Sequence, residues 1–129
     1  MRIRHWPQDR PEDLKNGPVA KVLQVIIKRD PQLWDFVREQ LQKAGQEETT
    51  LAQFESQGWA ERLRYTKGLY EFKFPPQRRQ GVMRIYFCFD PHIRNCIWLL
   101  EAEYKTGGGE KQHKAILKSA EQKCREIRS

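Results

Sequence analysis

The chain has 129 residues and a formal net charge of +7, a length that suits one sizeable hydrophobic core and leaves little for a second. Charged residues make up 32%, yet six Phe, four Trp and four Tyr supply enough buriable surface to offset the ordering entropy and argue against a disordered chain. No apolar run approaches the roughly 20 residues of a membrane span, residues 1–10 lack the apolar stretch of a secretory signal, and three Cys without CxxC or Cys/His spacing support neither a disulfide framework nor a structural zinc site. The expectation is a soluble, cytoplasmic protein.

Residues 1–18 form an extended N-terminal segment carrying Pro7, Pro11 and Pro18, in which Arg2 to Trp6 reads as a short edge strand stopped by Pro7. Val19, Val22, Leu23, Ile26 and Ile27 recur at helical spacing and predict a helix to Arg29. Asp30-Pro31 ends it and starts another, with Asp30 as N-cap and Pro31 at the first helical position. Leu33, Trp34, Val37 and Leu41 make the stripe of that second helix, and Gly45 closes it. Thr50 is placed to cap a short third helix running to Gln57 and ended by Gly58.

After residue 59 the period changes from helical to extended. Residues 68–74 alternate until Pro75-Pro76, residues 82–89 are rich in β-branched and aromatic types, and residues 96–104 form a third run. They predict an antiparallel meander of three strands with a polar tip at residues 77–80 and a turn at Asp90-Pro91. Residues 106–129 read as a loop and a C-terminal helix. Gly107, Gly108 and Gly109 are a hinge rather than a P-loop, since no GK[ST] follows. Ile116, Ala120, Cys124 and Ile127 share one stripe of the helix. The whole is expected to be one α+β domain, residues 1–129, with N-terminal helices packed on one face of the antiparallel meander and a helix at the C-terminus.

Alternation along strands sorts the side chains by face. Tyr70, Phe72 and Phe74 of the first strand, Met83, Ile85, Phe87 and Phe89 of the second, and Trp98, Leu100, Ala102 and Tyr104 of the third are expected to pack on the helices. Lys73, Arg84 and Lys105 then fall together on the other face, with Tyr86, Glu71, Glu101 and Glu103. Residues 1–60 hold nine basic and nine acidic side chains and the remainder fifteen and eight, so the whole +7 resides after residue 60. Such a face is either a set of cross-strand ion pairs on a solvated surface or a phosphate cradle, and the charge itself suits a polyanion or an acidic protein equally.

Gly68-Leu69-Tyr70-Glu71-Phe72-Lys73 is similar to the "GLYELR" strand of RelE/ParE-superfamily toxins, the HigB-like branch in particular. Val82 to Phe87 resembles that family's "YRVLY" strand, and Trp98-Leu99-Leu100 with Tyr104-Lys105-Thr106 resembles its "LLHGF-KKT" strand, in the same order and at the expected distances. The resemblance covers roughly residues 60–128. It implies a RelE-like fold and a toxin of a type II toxin–antitoxin system: a metal-independent endoribonuclease, without cofactor, that cleaves mRNA, in many members on the ribosome. The ribose 2′-OH attacks the adjacent phosphate, and a cognate antitoxin blocks the site. By the same resemblance Lys73 would contact the scissile phosphate, Arg84 would stabilise the transition state, and Lys105 would bind phosphate or assist proton transfer. Tyr104 stands where the family has a lysine, and Glu101 and Glu103 occupy the stretch of its histidine. His113 opens the last helix, as an acid–base group or as a packing residue on the stripe of Leu117 and Ala120. Lys67, Arg78, Arg79, Lys111 and Lys114 complete the expected RNA-binding set. The competing reading is a non-catalytic relative that binds nucleic acid or protein, a gyrase-poisoning type included. A small enzyme for an acidic metabolite ranks last.

Overall fold

In a computed structural model, residues 1–7, 17–75, 81–105 and 110–129 are described, with only the backbone of residues 110 and 111. The chain runs β1 (Arg2–His5), α1 (Pro18–Arg29), α2 (Pro31–Ala44), α3 (Leu51–Ser56), β2 (Ala60–Arg62), β3 (Tyr70–Phe74), β4 (Val82–Phe89), β5 (Cys96–Lys105) and α4 (Glu110–Arg128). It is an α+β fold with N-terminal helices, a central sheet and a C-terminal helix.

Capping does what the composition suggests. The Asp30 carboxylate accepts from the Leu33 N–H at 3.1 Å and Pro31 opens α2. The Gln53 side chain accepts from the Thr50 N–H at 3.0 Å at the start of α3. That helix ends at Ser56, one residue short of the expectation.

The sheet has the order β1-β5-β4-β3-β2. It is mixed, which corrects the expected antiparallel meander: β3, β4 and β5 are antiparallel as read, but β1 pairs with β5 in parallel. The three helices carry the chain from one edge of the sheet to the other. The meander then returns strand by strand until β5 meets β1. The opposite edge, β2, was not anticipated, because three residues carry no readable alternation.

A bulge revises the face assignment on β5. Tyr86 opposes Glu101 but Phe87 opposes Leu99, so Leu100 is inserted without a partner. Ala102 and Tyr104 keep their expected face. Trp98 and Leu100 turn to the other face, and Ile97 and Leu99 enter the core beneath the helices in their place.

That first core is aromatic. Phe72 stacks on Phe87 at 4.3 Å between centroids and on Phe74 at 5.4 Å, with Phe54 of α3 tilted against it at 5.5 Å. Leu23, Ile26, Leu33 and Val37 of α1 and α2 close it. The second face is not the open cationic surface of the alternation argument. Helix α4 covers part of it, burying Leu117, Ala120 and Cys124 against Leu63, Leu69, Tyr86, Cys88 and Leu100. The thiol that Cys88 faces through a side-chain hydrogen bond is Cys124 of α4. Burial and that bond push the Cys88 thiol upward, leaving it protonated and unreactive.

The turn from β2 into β3 is fastened to the end of α4. Gly68 has φ +82°, and a Cβ there would stand 2.5 Å from a guanidinium nitrogen of Arg128. Gly58 also has a positive φ, +75°, but open space around it. Gly68→Ala and Gly58→Ala are therefore both expected to lose about 1–2 kcal/mol from backbone strain, because the exposed Arg128 side chain can swing clear of the new methyl. Thermal unfolding of the two variants measures the loss; a clearly larger shift in Gly68→Ala would show that the Arg128 contact carries stability.

Among the described residues no helix is long and apolar enough to cross a membrane.

Candidate functional site

Helix α4 leaves the β2–β3 side of the second face uncovered. An open cleft of about 460 Å³ remains there, lined by Glu61, Arg62, Leu63, Arg64, Tyr65, Glu71, Lys73 and Arg84. Pairing fixes the arrangement of its floor. Lys73 opposes Arg84 across β3 and β4, and Arg84 opposes Glu103 across β4 and β5. The next row runs Glu61, Glu71, Tyr86 and Glu101 from β2 to β5. Glu71 and Lys73 alternate with aromatic residues along β3, and Arg84 takes the same face of β4, because the opposite face must fill the aromatic core.

Glu71 is the most constrained group of the cleft. Its side chain is 4% exposed, and the nearest cation, Arg84 Nη1, stands 3.9 Å from Oε2, too far for a hydrogen bond. Among the described residues Glu71 Oε2 and Arg84 Nε are both buried without a hydrogen-bond partner. Burial raises the Glu71 pKa, repulsion from Glu61 adds to it, and the attraction of Arg84 and Lys73 does not cancel the rise. A buried carboxylate whose pKa is raised and whose Oε2 is unbonded among the described residues is a stronger base than an ordinary glutamate and is suited to taking a proton. The unpaired Arg84 Nε–H is a donor held ready for an anion.

A second cluster adjoins this one. Glu103 Oε2 lies 2.7 Å from His113 Nδ1 and accepts a short hydrogen bond from the Tyr86 hydroxyl, which is itself 3.3 Å from that nitrogen. A contact of 2.7 Å to a carboxylate places the proton on Nδ1, which leaves Nε2 to exchange protons. Burial and the bond to Glu103 push the Tyr86 pKa up, so the phenol stays neutral and donates. His113 thus meets Glu103 rather than only packing, and its side chain keeps 20% of its exposure.

Glu101 is paired with a lysine of the C-terminal helix. Glu101 accepts from Lys123 Nζ of α4 at 2.7 Å, and that ammonium also sits 4.7 Å from the centroid of the Trp6 ring. Lys105 lies at the end of β5 on the Arg84 face, two pairs beyond Glu103. Tyr104 is not brought to the site. It points into the helical layer, 3.4 Å from the Asp30 carboxylate, on the other side of the sheet from Lys73 and Arg84. Lys67 is exposed in the β2–β3 turn and Lys114 is exposed on α4. Arg78, Arg79, the side chain of Lys111 and the loop at residues 106–109 lie outside the described residues.

Sequence reasoning missed Arg62, Arg64 and Tyr65, and it gave Glu71 no chemical role. A signal existed for the first three: Arg62-Leu63-Arg64-Tyr65 interleaves cations with apolar and aromatic residues. Among the described residues no group of three or more His, Cys, Asp or Glu is placed to hold a metal ion. Comparison with known proteins finds no family model, no curated protein and no solved structure that matches this chain.

Proposed function

We propose that the chain is an endoribonuclease of RelE-like type, the toxin of a toxin–antitoxin pair, that cleaves mRNA by attack of the ribose 2′-OH on the adjacent phosphate. The observation that carries this reading is one cleft holding Lys73 and Arg84 as cross-strand neighbours beside the buried carboxylate of Glu71, whose Oε2 has no hydrogen-bond partner among the described residues. The order and spacing of the three strand motifs support it independently.

Glu71 takes the proton of the 2′-OH as that oxygen bonds to phosphorus. Arg84 and Lys73 stabilise the charge that collects on the phosphorane oxygens. The P–O5′ bond breaks, and His113, oriented by Glu103 and Tyr86, is the candidate donor of the proton to the leaving 5′-oxygen. The products are a 2′,3′-cyclic phosphate and a 5′-hydroxyl end. Arg62 and Arg64 hold flanking phosphates. An antitoxin that covers this cleft would neutralise the basic half of the chain.

The pH dependence tests the role of Glu71. A general base must be ionised, so the rate is expected to fall as the pH drops through the Glu71 pKa, at a higher pH than an ordinary glutamate allows. Glu71→Gln is expected to lose about 10²–10⁴-fold in cleavage rate and the acidic limb with it. The same variant is expected to be no less stable than wild type at pH 7. A folded-state pKa raised above the unfolded value means that ionised Glu71 opposes folding, so wild-type stability falls as the pH rises through it. Salt-sensitive RNA binding without cleavage, on free or ribosome-bound RNA, would replace this reading with the non-catalytic one.

A further inference from the structure

We infer that Tyr65 is a nucleobase platform, a subsite that stacks one base of an RNA strand whose phosphates lie along the cations of the cleft. The inference rests on the nuclease reading and names a contact which that reading does not require.

Single exposed aromatics are ordinary on protein surfaces. Three observations separate Tyr65 from them. First, it is 70% exposed, and among the described residues it makes no ring contact. Second, the turn that carries it is anchored rather than loose. Leu63 donates its N–H to the Leu69 carbonyl at 2.9 Å, and both leucines are buried beneath α4. Within the turn Thr66 donates its N–H at 3.1 Å and its hydroxyl at 2.7 Å to the Leu63 carbonyl, and the Leu69 N–H reaches the Thr66 hydroxyl at 3.3 Å. A ring held out on a pinned turn gives up little freedom when a planar ligand covers it. Third, Arg62 and Arg64 precede it closely in sequence, and all three line the same cleft as Lys73 and Arg84.

A row of cations beside one exposed ring matches a single-stranded nucleic acid, with the backbone on the cations and a base on the ring. A duplex keeps its bases stacked on one another and offers no free face to the phenol. A protein partner would also fill an aromatic anchor. Four cations around the ring favour the strand with a phosphate at every residue.

The probe is a short RNA oligonucleotide with 2′-O-methyl groups throughout, which lacks the attacking hydroxyl, read by fluorescence anisotropy. A set of oligonucleotides carries one abasic position, moved along the strand. Wild type is expected to bind the intact strand roughly tenfold more tightly than the strand abasic at one particular position. Tyr65→Ala is expected to erase that difference, weakening every strand that keeps the base at that position and binding the strand abasic there as before, and Tyr65→Phe to retain it. Lys73→Ala should weaken intact and abasic strands alike and lower the salt slope by about one. An unchanged intact-to-abasic ratio in Tyr65→Ala, with RNA still bound and natural RNA still cleaved, would overturn the platform alone and assign the ring to a protein partner. Absence of salt-dependent binding to any strand would overturn the nuclease reading and the platform together.

Discussion

Arg84→Ala is expected to reduce RNA cleavage by at least about a hundredfold, the loss that follows when one charged donor is taken from a developing oxyanion. Among the described residues Arg84 has little pairing to lose: its guanidinium stands 3.9 Å from Glu71, and its Nε–H is unbonded. A residue kept for stability would have closed that gap. The substitution also removes the cation that stands 3.9 Å from Glu71, so the carboxyl becomes harder to ionise and the acidic limb of the rate profile moves to higher pH. Arg84→Lys keeps a charge without the fork and is expected to recover part of the rate. Single-turnover kinetics on a defined RNA, with circular dichroism to confirm the fold, measures all three effects. Undiminished cleavage in Arg84→Ala would remove the cleft from the reaction.

The largest loss of stability away from the aromatic core is expected at Asp90. Its side chain is 6% exposed and its two oxygens take four hydrogen bonds. Oδ1 accepts from the His92 and Ile93 N–H groups at 2.8 Å each, and Oδ2 accepts from Trp98 Nε1 at 2.9 Å and Arg4 Nη1 at 3.0 Å. This carboxylate ties the β4–β5 turn to β5 and to the edge strand β1, and the Arg4 guanidinium lies over the Trp98 ring at 4.3 Å. Asp90→Ala removes the hydrogen bonds of Arg4, of the Trp98 indole N–H and of two turn N–H groups together, at a cost of about 3–5 kcal/mol. Burial alone would raise the Asp90 pKa; the Trp98, His92 and Ile93 donors with Arg4 outweigh it and hold the pKa at about 2. Because the folded-state pKa is depressed, the contribution is complete above the ordinary aspartate range of about 4 and is lost as the pH falls from there towards 2. Urea unfolding at pH 7 and across that acid window checks both statements. A wild-type-like midpoint for Asp90→Ala would show that the four bonds carry no net stability.

Local sequence signals placed most of the fold. Asp30-Pro31 marked the α1–α2 junction because a cap and a proline act within one turn. The placement of Lys73 and Arg84 on one face followed from strict alternation on β3 and β4, both free of irregularity up to Tyr86. The bulge at Leu100 was hidden, since every residue from Cys96 to Leu100 is apolar and either register reads as a strand. Coverage of the second face by α4 is tertiary. Leu69, Tyr86 and Cys88 were apolar residues without a stated partner, and the stripe of Leu117, Ala120 and Cys124 was a partner without a stated surface. Joining the two would have exposed the cleft as the uncovered remainder. The pairing of Glu101 with Lys123, and of Glu103 with His113, depends on how α4 lies across the strands, which no spacing within β5 or α4 reveals. Arg64 and Tyr65 sit in an irregular turn where neither period applies.

The most direct test is induced expression of the chain in a bacterial host, wild type beside Arg84→Ala and Glu71→Gln, with growth recorded and the 5′ ends of cellular mRNA mapped. Growth arrest with new 5′-hydroxyl ends, both abolished in each variant while the proteins accumulate folded, is the predicted result. Folded wild-type protein that neither arrests growth nor creates mRNA ends, or variants that cut as wild type does, would contradict the account.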